Sequence, residues 1–263
     1  MLYKFTGAGN NFVVIDGRKG DVSEYRQVPR IQELCAKYKT DGLMILHMAG
    51  DSRNKSENDV VVDFVMDFFN PDGSGGMMCG NGGRCITAFA DYLGLKPAAA
   101  DGTWHFIAPD GPHEAKILDG PNPWTVRLKM IDVQGVTPVK NGYFLNTGTR
   151  HYVEFRDHVD CIDMEKEAKP LRWDPAFKPE GANVNFVERT AEGLKVRTFE
   201  KGVEGETLAC GTGITACAIA FGSPTRLQCR RGDWLSVEFK KEGPERFTDV
   251  FLTGPAELVE ILP

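Results

Sequence analysis

No stretch of this sequence is long and apolar enough to suggest a membrane-spanning helix. The longest candidate, Ala209–Gly222, carries glycines and threonines and falls short of the roughly 18 apolar residues such a helix needs. The opening residues, MLYKFTGAGNNFVVID, hold no basic segment followed by an apolar one, so no signal peptide is read there and a cytoplasmic location is expected. Metal-site spacings are missing too. None of the five histidines falls into HxxxH or HExxH and no cysteine pair is spaced CxxC, so no metal is expected. The seven cysteines, Cys35, Cys79, Cys85, Cys161, Cys210, Cys217 and Cys229, are odd in number and argue for reduced thiols rather than a disulfide framework. Excess positive charge is lacking. A net charge of -6 removes nucleic acid and anionic membrane from the expected partners and leaves a small molecule. An anionic substrate stays open, because a buried pocket sets its own potential. Phosphate loops of the GxxxxGKS or GxGxxG type are absent, and nothing calls for pyridoxal phosphate, so no cofactor is expected.

What is present is an ordinary globular composition, 41% hydrophobic and 26% charged, in a 263-residue chain long enough for two cores. Short runs rich in Val, Ile, Phe and Tyr, set off by Gly, Pro, Asn and Asp, predict strands. They fall at Phe12–Ile15, Gly42–His47, Val60–Phe68, Thr125–Lys129, Tyr143–Leu145, Tyr152–Phe155, Asn183–Val187, Leu194–Phe199, Trp234–Phe239 and Leu258–Leu262. Helical spacing predicts Val28–Lys39, Asn81–Leu93 and Gly213–Phe221, the last two ending at Gly94 and Gly222. The class is α+β, with central helices wrapped by mostly antiparallel strands.

The chain also repeats itself. Phe69-Asn70, a Gly-rich stretch and Cys79-Gly80-Asn81-Gly82 recur as Phe199-Glu200, a Gly-containing stretch and Cys210-Gly211-Thr212-Gly213. The cysteines are 210 − 79 = 131 positions apart, about half the chain. Gly9-Asn10-Asn11-Phe12-Val13-Val14 echoes Thr147-Gly148-Thr149-Arg150-His151-Tyr152-Val153, and Gly42–Ile45 more weakly echoes Ala182–Phe186. Matches in one order at a similar offset imply two pseudo-symmetric domains. We place them at 1–119 and 120–253, with Leu118–Pro123 as the linker.

Each CGxG motif stands at a predicted helix start. Glycine lets the backbone approach a ligand, and the first helical N–H groups with the helix dipole suit a carboxylate. The same field favours a cysteine thiolate. A cysteine before a helix is most often a packed small residue, and Cys85 and Cys217, at apolar-face spacing, are assigned to that role. For Cys79 and Cys210 the duplicated context points to chemistry. Two thiols at one α-carbon, one taking the proton and the other returning one to the opposite face, suit epimerisation.

The residues that carry these motifs resemble one family. Gly7-Ala8-Gly9-Asn10-Asn11-Phe12, Phe69–Ser74, Cys79-Gly80-Asn81-Gly82-Gly83-Arg84-Cys85, Ala182–Phe186, and Glu200 through Cys210-Gly211-Thr212-Gly213 are similar to diaminopimelate epimerase. The resemblance implies two domains, each a β-barrel-like sheet around a central helix, with the final strand, about 254–263, returning to the first, and an isomerase that works without pyridoxal phosphate. It implies that Cys79 and Cys210 are the acid/base thiols and that Gly80, Asn81, Gly211 and Thr212 hold the reacting α-carboxylate. Asn10, Asn70 and Asn183 then bond the substrate, the latter two at its distal end, and His151 and Glu200 lie near the reacting amino group. A homodimer is also implied. The asparagines have an alternative in turn chemistry. Three departures from the family pattern stand out: Asn11 where Asp is usual, Thr149-Arg150 where Asn-Pro is common, and Lys201 where Arg commonly pairs with the distal carboxylate. An ammonium is a point charge and a guanidinium a planar fork, so the substitution at Lys201 changes geometry while keeping charge.

The reading is therefore epimerisation of LL- to meso-diaminopimelate for lysine and peptidoglycan precursors. The alternatives are an epimerase or racemase of another amino acid with the same two thiols, or a non-catalytic binding or thiol-redox protein.

Overall fold

The computed structural model describes residues 1–48, 61–76 and 79–263. They form two compact units, one of 1–128 with 254–263 and the other of 129–253. The first holds β1 (Leu2–Gly7), β2 (Asn10–Asp16), α1 (Val28–Tyr38), β3 (Leu43–His47), β4 (Phe64–Phe69), α2 (Gly80–Tyr92), β5 (Thr103–Ala108), β6 (Gly111–Asp119) and β7 (Trp124–Lys129). The second holds β8 (Val133–Gln134), β9 (Thr137–Val139), β10 (Gly142–Asn146), β11 (Arg150–Phe155), α3 (Met164–Arg172), β12 (Asn183–Thr190), β13 (Gly193–Glu200), β14 (Gly205–Thr207), α4 (Gly211–Phe221), β15 (Thr225–Gln228) and β16 (Trp234–Lys241). The last strand, β17 (Arg246–Leu262), pairs with β16 through Thr253 and with β1 from Glu257 onward. Since β6 and β7 pair with each other, Leu118–Pro123 is a turn inside the first unit. Val60, part of a strand expected from the sequence, lies outside the described residues.

The order of pairings in the first unit recurs in the second. β1–β2 is antiparallel, β2–β3 parallel across α1, β3–β4 antiparallel, then α2, then a parallel β4–β5 and an antiparallel β5–β6. In the second unit β10–β11, β11–β12 across α3, β12–β13, α4, β13–β15 and β15–β16 follow the same sequence of senses. The architecture is α+β, a mostly antiparallel, barrel-like sheet around a buried helix in each unit.

That architecture explains why the strands read as unbroken apolar runs. Val13 and Ile15 meet Ile31, Leu34 and Cys35 of α1, while α2 packs on β1, β2 and β3. A strand covered on both faces has no solvent face to mark with polar residues. The central helices bury nearly their whole circumference: Gly80 through Ala90 of α2 are all buried, and in α4 only Thr212, Ala220 and Phe221 are not. Glycine, alanine and cysteine dominate both, because only small side chains let a helix run through the inside of a closed sheet. α1 instead has one apolar stripe and a left-handed Lys39 at its end. No helix among the described residues is long and apolar enough to cross a membrane.

Candidate active site

In the first unit, α2 starts one residue after Cys79, whose backbone is extended (φ -96°, ψ 151°) and whose Sγ accepts from the Gly82 amide at 3.2 Å. The helix opens with a bond from Gly83 N to Cys79 O at 2.9 Å, leaving the amides of Gly80 and Asn81 without a carbonyl in their own helix. Asn81 is nearly wholly buried, and its side chain is oriented from both sides. Arg84 Nη2 donates to Asn81 Oδ1 at 2.7 Å, and since a guanidinium only donates, the Asn81 amide nitrogen must face Asn10, to whose Oδ1 it donates. Arg84 itself is fully buried and also donates to Gly80 O and Pro255 O, at 3.2 and 3.3 Å. Asn10, Cys79, Gly80 and Asn81 are thus brought together. Asn70 is placed in a turn: its amide donates to Ser74 Oγ at 3.1 Å and its carbonyl accepts from Gly73 N at 2.9 Å.

In the second unit, α4 starts after Cys210 (φ -125°, ψ 110°), with Ile214 N bonded to Cys210 O at 2.8 Å. Thr147 Oγ1, from the turn between β10 and β11, donates to Thr212 O at 2.8 Å and ties that turn to the helix start. Behind it lies a buried polar chain. Thr198 Oγ1 donates to Asn185 Oδ1 (2.9 Å), and Asn185 Nδ2 reaches Tyr152 O (3.0 Å) and His151 Nδ1 (3.1 Å). A carbonyl accepts only, so the amide nitrogen is the group facing His151, Nδ1 is the acceptor, and the ring proton sits on Nε2. From Nε2, Thr149 Oγ1 is 2.9 Å away and Thr212 Oγ1 is 3.0 Å away. The two hydroxyls are 3.0 Å apart, and Thr212 Oγ1 is 3.4 Å from Cys210 Sγ. Burial pushes His151 down to about 3, so it is a neutral donor throughout the physiological range.

Asn183, at the head of β12, is buried and uses both ends of its amide. It accepts from Lys201 N at 2.7 Å and donates to Arg150 O at 3.0 Å and Thr149 Oγ1 at 3.3 Å. Glu200, half-buried, ends β13 and accepts on its carbonyl from Glu204 N at 2.8 Å; Lys201 is exposed in the turn that follows. Asn185, Thr198 and Arg84 carry no assigned role in the sequence, and Thr149 stands there only as a departure from the family pattern. Asn185 and Thr198 share a register across β12 and β13, and Asn185 lies on the same strand face as Asn183. Arg84 is the one charged residue in a helix start of small and apolar residues.

All seven cysteines stand outside any disulfide. Cys85 and Cys217 are wholly buried within the helices, and burial pushes both thiols well up, so they stay protonated. Among the described residues no group of three or more His, Cys, Asp or Glu is arranged to hold a metal.

Residues 2–119 and 143–259 match the family model described as diaminopimelate epimerase. The chain is 38% identical to a diaminopimelate epimerase of Flavobacterium psychrophilum, the alignment covering 98% of this chain and 97% of that one. A diaminopimelate epimerase of a Hydrogenobaculum species is 36% identical, over 98% and 96% of the two chains. Among solved structures, a phenazine biosynthesis protein of the PhzF family from Bacillus anthracis shares the fold, with a TM-score of 0.69 at 13% identity over 100% of this chain and 98% of that one.

Proposed function

The chain belongs to the diaminopimelate epimerase family, and on that premise we propose that it converts LL- to meso-diaminopimelate by a two-base reaction with Cys79 and Cys210 as the acid/base pair. The reaction feeds lysine and peptidoglycan precursor synthesis, and we place it in the cytoplasm, where thiols stay reduced. The observation that carries the mechanism is the pair of extended-backbone cysteines, each at the N-cap position of a buried, glycine-rich helix.

One cysteine starts as thiolate and the other as thiol. The thiolate takes the α-proton, and the electron pair left on carbon delocalises into the α-carboxylate, which becomes enolate-like. The second cysteine then delivers its proton to the opposite face, and the pair ends with the roles exchanged. Helix-start amides, at Gly80 and Asn81 and at Gly211 and Thr212, donate to the carboxylate as its charge grows, the moment when such donors matter most. Glu200 lies near the reacting amino group in this reading, whereas His151 would serve it only if its surroundings yielded. In the described structure His151 is committed to Thr149, Thr212 and Asn185, which makes it a positioning residue in this reading.

Cys79→Ala and Cys210→Ala should each lower turnover of LL-diaminopimelate by roughly 10²- to 10⁴-fold, the usual weight of a positioned acid or base. Cys85→Ala and Cys217→Ala should keep most turnover and lose stability instead. Stereoisomers separated by chromatography, with α-proton exchange followed in deuterium oxide, read both. Full turnover in either of the first two variants would overturn the two-base mechanism.

A further inference from the structure

Three charged side chains of the second unit converge at a place the two-thiol chemistry does not use. Arg150 opens β11 and Lys201 follows β13, yet both cations lie 3.8 Å from the Glu180 carboxylate: Arg150 Nη1 from Oε1, Lys201 Nζ from Oε2. Their backbones are joined by the buried Asn183 amide, which accepts from Lys201 N and donates to Arg150 O. The Arg150 guanidinium also lies 5.0 Å from the Phe144 ring centroid, a cation–π contact that holds its plane. The cation-bearing ends are therefore prepared from behind, while the carboxylate they share is loosely held. A separation of 3.8 Å exceeds hydrogen-bonding distance. The Glu180 side chain is 61% exposed, and ion pairs of that kind are weak because water screens them.

Diaminopimelate carries an α-amino-acid group at each end, so while one end reacts the other presents a second carboxylate. We propose that Arg150 and Lys201 together read that non-reacting carboxylate, and that Glu180 is a resident counter-ion which holds their place until the substrate carboxylate displaces it. This inference rests on the functional reading above. It assigns the planar fork to Arg150, which can take a carboxylate with two parallel bonds, and leaves Lys201 as a second point charge. The guanidinium absent at position 201 is then supplied from the strand beside it. Glu180 keeps two neighbouring cations from repelling one another in the empty protein and, by competing with substrate, sets the affinity for it.

Steady-state kinetics of the LL-to-meso reaction tests this on the whole protein. Glu180→Gln removes the competitor and should lower KM by roughly two- to tenfold, with kcat little changed, given two exposed ion pairs. Arg150→Met should lower kcat/KM by roughly 10- to 100-fold, mainly through KM, and Lys201→Met by less. Arg150→Lys should recover part of the Arg150→Met loss, which a purely structural role of the Phe144 stack would not require. A Glu180→Gln enzyme with unchanged or raised KM, or an Arg150→Met enzyme with wild-type kcat/KM, would overturn this inference alone. A wild type inactive on LL-diaminopimelate would overturn the functional reading and this inference with it.

Discussion

Cys210 has a hydroxyl neighbour whose proton is directed by a chain of buried groups. His151 Nε2–H and the Thr149 hydroxyl can both donate to Thr212 Oγ1, which leaves the Thr212 proton for Cys210 Sγ at 3.4 Å. A donor to sulfur favours thiolate over thiol. Thr212→Val should therefore lower kcat, whereas Thr212→Ser should keep it near wild type. Wild-type turnover in Thr212→Val would show that the hydroxyl does not serve the thiol. At this scale the sequence was partly legible. The motif identified Cys210 and Thr212, because a cysteine at a helix start followed by small residues is a local pattern. Asn185 and Thr198 were not legible as partners, because their contact spans the β12–β13 pairing and nothing in either residue's neighbours announces it. Asn70 shows the opposite case: its local sequence, Asn-Pro-Asp-Gly-Ser, was sufficient to raise the turn in which it lies.

The helix starts impose their own limits. A Cβ on Gly213 would meet Asn185 Oδ1 at 2.7 Å and Cys210 Sγ at 3.4 Å. Asn185 has little freedom to retreat, since it is bonded to Thr198, Tyr152 and His151. On Gly82 the nearest atoms would be Cys79 Sγ at 3.3 Å and Met44 Sδ at 3.4 Å, and a methionine end can move. Gly213→Ala should therefore lower the melting temperature and kcat more than Gly82→Ala, by about 1–3 kcal/mol of overpacking against a helix-propensity gain of about 1. Melting curves with the gentler effect at Gly213 would contradict the packing argument. Element recognition followed similar lines. α1, α2 and α4 were expected within two residues of their observed ends, through apolar spacing and terminal glycines. α3 was missed because its nine residues, MEKEAKPLR, are polar and contain Pro170. β1 was missed because Lys4 and Thr6 interrupt its run, and β5 because its polar members, Thr103 and His105, alternate with Trp104 and Phe106 and leave no continuous apolar run.

For the molecule as a whole, the buried His151 ties stability to acid. Its folded value is near 3 and its ordinary value 6.5, so between those limits the unfolded chain binds a proton that the folded chain does not. Stability then rises with pH, and on acidification through that window it falls by up to about 1.4 kcal/mol per pH unit. Asp67 acts in the same direction: burial pushes its carboxyl up, but bonds from His47 and Arg26 outweigh burial and hold it low, so its contribution is also lost in acid. His151→Gln should be less stable at neutral pH yet show a flatter fall between pH 6.5 and 5, measured by urea unfolding. An equally steep fall would mean that His151 charges without cost.

The sequence by itself determined the class, the duplicated element order and the two cysteine-led helix starts. These depend on patterns within a few residues, on periodicity and on repetition, which a linear chain displays directly. Tertiary structure alone decided which groups share a hydrogen bond or a charge. His151 meets Asn185 because β11 and β12 run parallel with α3 between them, and Arg150 meets Glu180 because the segment after α3 returns beside β11. A strand's alternation states which face a side chain takes, but not which strand lies beside it, and it is the neighbouring strand that supplies the partner.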